Sequence, residues 1–227
     1  MAQVETHTTT TRCSPMSGWR SDMRAGHVLH ASLAMAALVL GPSVARADSA
    51  ADEAATKLAV HVCASCHGPG GNSTSPTFPK LAAQQEPYLV AQINAFKSGK
   101  RGEKEAHDYM LGMTTLIDDA TAAALGRYFA RQPPAAGEPG DPQQVARGKQ
   151  LFEQGAEGKV VACATCHGAH AEGNGIFPRL AGQHAPYVVK QLKVIQSNLR
   201  QSPVMHGIIT KLTSDDMADV AAYVQSL

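Results

Sequence analysis

Two short segments carry residues whose spacing could do chemistry: Cys63-Ala-Ser-Cys-His67 and Cys163-Ala-Thr-Cys-His167, each followed by glycine. Two thiols three positions apart can add to the two vinyl groups along one edge of a porphyrin as thioethers. The histidine that follows then lies beneath the iron as its proximal ligand. A structural zinc site would pair two Cys-x-x-Cys units in one tetrahedron and has no use for a histidine after each. A thioredoxin-like dithiol needs a βαβ setting, which the surrounding sequence lacks. The expectation is therefore two covalently bound haem c groups, on Cys63 and Cys66 and on Cys163 and Cys166, with His67 and His167 on iron.

The sixth ligand decides between carrier and catalyst, because methionine opposite histidine raises the reduction potential and closes the iron to substrates. Met205 is the only methionine between His167 and the final helix, where Met217 sits among core positions. Upstream, Met110 and Met113 compete. Aligning Met110-Leu-Gly with Met205-His-Gly selects Met110, since Met113 then faces Ile208. Pro79 and Pro178 either present a carbonyl to the second nitrogen of each proximal histidine or merely end the preceding segment. Lys80 and Arg179 either pair with haem propionates or are solvated. His61, His107, His170, His184 and His206 read as surface or loop histidines, with His107 and His206 the alternatives to watch beside the methionines.

The elements that must position these groups are written twice. Phe78-Pro-Lys-Leu-Ala-Ala-Gln returns as Phe177-Pro-Arg-Leu-Ala-Gly-Gln, and Pro87-Tyr-Leu-Val-Ala-Gln-Ile as Pro186-Tyr-Val-Val-Lys-Gln-Leu. Order is preserved, so this is a tandem duplication. The intervening Gln132-Pro-Pro-Ala-Ala-Gly-Glu-Pro-Gly-Asp-Pro can hold neither helix nor strand. Domains are expected at residues 48–132 and 143–227, joined by a linker over 133–142. Leu89, Ile93 and Phe96, repeated as Val188, Leu192 and Ile195, mark helical stripes. Asp118 or Asp119 begins an Ala-rich helix ending near Ala130, and Thr213 or Ser214 begins the last one. No segment alternates long enough for a strand, so the class is all-α. With aromatic residues at only 5%, two small cores need the apolar mass of a cofactor.

Residues 1–47 read as a leader, with translation starting at Met23, an apolar run from Val28 to Leu40, and Ala45-Arg46-Ala47 as the cleavage signal. The mature chain is expected to begin at Asp48; an uncleaved anchor is the rival reading. Cleavage removes Cys13 and leaves four cysteines in two pairs, with 16 basic and 17 acidic groups. Near-neutral charge in both halves excludes a nucleic-acid footprint and gives no strong electrostatic steering.

Together, the duplicated Cys-x-x-Cys-His-Gly, the Phe-Pro-[Lys/Arg]-Leu-Ala-x-Gln segments, Phe96-Lys-Ser-Gly and the Met-x-Gly loops resemble the dihaem cytochrome c4 family over essentially all of the mature chain. The resemblance implies two class I cytochrome c domains packed about a pseudo-twofold, with axial ligands on His67, Met110, His167 and Met205. It implies a periplasmic electron carrier, at times loosely attached to the inner membrane. Its partners would be redox proteins: an upstream quinol-oxidising complex or dehydrogenase and a downstream terminal oxidase. Ala83 departs mildly from the pattern, where the second repeat keeps Gly182. Two other functions are weighed. A dedicated cytochrome subunit would use the same chemistry. A dihaem peroxidase needs an iron able to lose its sixth ligand, against which both methionines speak.

Overall fold

The computed structural model describes the backbone from Ser43 and side chains from Ser49 to Leu227. The expected start at Met23 and the apolar run of the leader lie outside the described residues. Residues 43–47 form the first turns of α1 (Ser43–Leu58). That helix passes through a π-helical turn, Ala59–Cys63, into the short α2 (Ala64–His67). The first domain continues with α3 (Glu86–Lys97), a second π-helical turn (Ala106–Leu111), α4 (Gly112–Thr114) and α5 (Asp119–Ala130). The second repeats the plan with α6 (Pro142–Gln154), α7 (Ala164–His167), α8 (Ala185–Gln196), α9 (Pro203–Ile209) and α10 (Ser214–Gln225). No strand occurs among the described residues, only isolated bridges, and the fold is all-α. No described helix is long and apolar enough to cross a membrane.

Local chemistry sets the ends. Pro87 and Pro186 sit in the first turns of α3 and α8, where a missing N–H costs nothing. Of the two expected caps for α5 it is Asp118 that accepts from the Thr121 N–H, at 2.7 Å. Thr213 and Asp216 close a reciprocal capping box on α10.

In each domain the first helix packs against the last, α1 on α5 and α6 on α10. The second crossing is tighter. A Cβ on Gly148 would lie 1.9 Å from the Asp219 carbonyl oxygen and 2.9 Å from the Tyr223 Cβ, so only glycine permits that approach. Gly148→Ala is expected to destabilise the holoprotein by about 1–3 kcal/mol through overpacking, read as a lowered denaturation midpoint. In sequence, Ala55-Thr-Lys-Leu-Ala59 matches Gly148-Lys-Gln-Leu-Phe152. The first domain therefore puts buried alanines where the second puts a glycine and a fully buried phenylalanine. Phe152 packs against Tyr223 with ring centroids 5.4 Å apart.

The domains meet on a polar seam with its own twofold logic. Arg101 and Arg200 form an antiparallel bridge, flanked by Gly102 N–H to Leu199 O (2.8 Å) and Gln201 N–H to Lys100 O (2.9 Å). Both arginines are buried, at 6% and 7% exposure. The Gln92 side-chain oxygen accepts from Arg101 (2.8 Å) and Arg200 (2.9 Å), and Gln191 accepts from Arg200 (2.7 Å) and Arg101 (3.1 Å). Within this arginine cluster the symmetry breaks at Glu103, which is 3% exposed and takes two N–H groups of Arg101 on its Oε1. Its counterpart after Arg200 is Ser202.

Residues 133–141 carry no regular element yet are stitched down. Asn72 donates to Pro133 O (3.0 Å) and accepts from Ala135 N–H (2.8 Å), while Glu138 N–H reaches Gln225 O (2.9 Å).

Candidate haem sites

None of the four motif cysteines is paired in a disulfide; Cys66 is exposed and the others are partly buried. Burial pushes the Cys63 thiol up and Cys163 to about 11, the opposite of what a redox-active dithiol requires. Each motif ends at a glycine in the left-handed region, Gly68 at φ 75° and Gly168 at φ 84°. Gly68 and Gly168 N–H groups close the turns onto Ala64 O and Ala164 O, both at 3.0 Å. A Cβ at Gly68 would lie 2.5 Å from Asn72 O. The helix stops there, with the histidine on its last turn facing inward.

Both histidines are buried, His67 at 6% and His167 at 5% exposure. Their Nδ1 atoms lie 2.8 Å from Pro79 O and 2.9 Å from Pro178 O. A carbonyl only accepts, so each Nδ1 carries the proton and each Nε2 keeps its lone pair. Burial pushes both pKa values below the usual imidazole range, against the raising effect of the proline carbonyl, which keeps the rings neutral. His167 Nε2 is buried with no hydrogen-bond partner. An orphaned imidazole nitrogen, beside two motif cysteines and an anchored Nδ1, fits a metal porphyrin. Phe78 and Phe177 stand edge-on to His67 and His167, with centroids 6.1 and 6.4 Å apart.

The methionines differ in setting. Met110 lies partly buried in the second π-helical turn, and its carbonyl accepts from the fully buried Thr114 hydroxyl at 2.8 Å. Its neighbour Tyr109 packs on Phe78, with centroids 5.3 Å apart, tying this loop to the His67 side. Met113 is 60% exposed. Met205, on α9, packs partly buried against the second core. Among the alternative histidines, His107 is exposed, and His206 Nδ1 is engaged by Ile195 O at 2.9 Å. His61 and His170 are exposed.

Three neighbours carry more than sequence inspection assigns them. Lys80, expected at a propionate or in solvent, is not solvated: it donates to Gly182 O (2.8 Å) and Glu138 (2.9 Å). Arg179 keeps a buried Nε with no partner. His184 lies in a loop as expected, but it is buried at 4% exposure and reaches Ser73 O in the other domain at 2.9 Å. Burial, then the Lys80 cation, pushes its pKa down.

The cytochrome c family model matches residues 53–131 and 145–227, once per repeat. Cytochrome c4 of Azotobacter vinelandii is 41% identical over 194 residues, covering 80% of this chain and 91% of the relative. The chain belongs to the dihaem cytochrome c4 family. The solved cytochrome c4 of Acidithiobacillus ferrooxidans superposes with a TM-score of 0.69 at 36% identity, covering 73% of this chain and 98% of that one. A thiosulfate dehydrogenase electron acceptor of Thiomonas intermedia is 32% identical over 171 residues, 71% of this chain and 76% of the relative. As a cytochrome c4 the protein is an electron carrier, not an enzyme, with two covalently bound haem c groups and redox proteins as partners. Bound haem supplies a one-electron ferric–ferrous couple, and the chain holds, orients and tunes it.

The domain-joining residues escape sequence reading. Gln84, Gln92, Arg101 and their mates Gln183, Gln191, Arg200 recur in both repeats although haem attachment does not need them. That recurrence of polar residues is the signal that could have found the seam.

Proposed function

We propose that this cytochrome c4 works in the periplasm, passing single electrons from an upstream quinol-oxidising complex or dehydrogenase to a terminal oxidase. In this reading Cys63, Cys66, Cys163 and Cys166 hold the haems by thioethers, while His67 with Met110 and His167 with Met205 are the axial pairs. One observation supports it above the rest: both repeats anchor a buried, neutral histidine by its Nδ1 and set a partly buried methionine further along the chain, Met110 in a π-helical turn and Met205 on α9. Two saturated irons suit outer-sphere transfer and leave no open position for substrate. The domains are residues 48–132 and 143–227, joined by 133–142, once the leader is removed at Asp48.

A second reading has the same chain collecting electrons from a dedicated dehydrogenase. The thiosulfate dehydrogenase electron acceptor among its relatives supports it. The two are separated by mixing the holoprotein with membranes rich in haem–copper oxidase, or with thiosulfate and its dehydrogenase, and following the reduced haem bands. Rapid oxidation by the membranes is expected. Reduction by the dehydrogenase without oxidation by membranes would favour the second reading. Peroxide turnover with a five-coordinate resting haem would overturn both.

A further inference from the structure

The two proximal anchors are each completed by the other domain. The peptide group between Pro79 and Lys80 accepts from His67 Nδ1 through its carbonyl, while its N–H donates to Gln183 Oε1 at 2.9 Å. The peptide group between Pro178 and Arg179 accepts from His167 Nδ1, while its N–H donates to Gln84 Oε1 at 2.8 Å. Each glutamine amide also donates onward, Gln183 to Lys80 O (2.9 Å) and Gln84 to Arg179 O (3.0 Å). The glutamines are buried, at 6% and 7% exposure.

A peptide unit is conjugated, so engaging its N–H increases the negative charge on its carbonyl oxygen. Hydrogen bonds in series strengthen one another in a low-dielectric interior. A stronger carbonyl acceptor draws the imidazole proton, makes the ring more basic and favours ferric iron. The double clamp also fixes where the carbonyl points. Glue between domains could fall anywhere on the seam, but these bonds fall on the two peptide groups that touch the haem histidines, in both halves.

We propose that Gln84 is a positioning residue for the haem of the second domain, and Gln183 for the haem of the first. The inference rests on His67 and His167 being the proximal ligands. In the holoprotein, Gln183→Leu is expected to raise the reduction potential of the first haem and shift the His67 ring-proton resonance, leaving the second haem unmoved. Gln84→Leu is expected to do the reverse. Spectroelectrochemistry, with hyperfine-shifted NMR to assign each haem, reads both. Should the leucine variants fail to fold, Gln84→Asn and Gln183→Asn shorten the amide by one carbon and are expected to give the same crossed pattern. Equal shifts at both haems, shifts within the mutated domain, or no shift would overturn the proposal. His67→Ala and His167→Ala, run in parallel, test the ligand reading separately. If each loses one low-spin haem spectrum while the glutamine effects are not crossed, this inference alone falls.

Discussion

Met205→Ala is expected to open one haem and leave the other untouched. With Met205 as the axial ligand proposed above, removing its thioether would take away a neutral ligand that favours ferrous iron. One of the two one-electron steps should then fall by at least about a hundredfold in electron affinity, about 0.12 V at 59 mV per tenfold. That haem should turn high-spin and bind added cyanide, while the other keeps its spectrum. Met110→Ala should do the same to the first haem. Met113→Ala is the control, because its side chain is largely exposed and its loss should change neither potential. The measurement is a spectroelectrochemical titration of the three holoproteins. If Met110→Ala and Met205→Ala both leave ligation and potential as they were, the axial assignment is wrong.

The second large effect belongs to the seam. Arg101→Ala leaves the Glu103 carboxylate, 3% exposed, without its counterion; Glu103 Oε2 already lacks a hydrogen bond. Stranding a buried charge costs about 3–5 kcal/mol, and denaturant unfolding of the holoprotein should show a loss of that size. The double variant Arg101→Met with Glu103→Leu should recover most of it, because replacing a whole buried pair by apolar groups is often neutral. Arg200→Ala should cost less, about 1–3 kcal/mol, since its direct partners are Tyr88, Gln92 and Gln191 and no carboxylate. A loss below about 1 kcal/mol for Arg101→Ala would mean that the seam is screened as a surface pair is.

Helices, duplication and haem attachment were legible because each rests on local rules. Thiols three apart before a histidine have one economical use when doubled, and the stripe from Leu89 to Phe96 has one period. Pro79 and Pro178 were candidates for presenting carbonyl acceptors because each lies a short way past its motif, and the structure puts both carbonyls on the motif histidines. What joins the domains left only the recurrence of polar residues as a signal, and the pairings themselves were not readable. Gln84 meets Arg179, and Gln183 meets Lys80, across about a hundred residues of chain, and no periodicity encodes such a pairing. Lys80 shows the cost of local reading, since its neighbours in sequence say nothing of Gly182 or Glu138. Ala83 is a smaller case. Sequence marks a mild departure from glycine, whereas the structure puts it at φ 55°, where its counterpart in the second repeat, Gly182, has φ 75°. The first domain thus holds an alanine in a conformation that glycine adopts freely.

The paired contacts of the seam have one more implication. Gln84 with Arg179 and Gln183 with Lys80 exchange roles when the halves are exchanged, as do the bonds that Arg101 and Arg200 donate to Gln92 and Gln191. That is the pattern of an isologous dimer interface, in which residue i meets j and j meets i. Such a surface is self-complementary before any covalent join exists, so it suits two copies of a one-haem ancestor that associated first and were fused later. Joining two such copies in one chain would convert a concentration-dependent encounter into an intramolecular one. It also leaves each copy free to differ, as Glu103 against Ser202, Lys80 against Arg179 and His184 against Gln85 do at the interface.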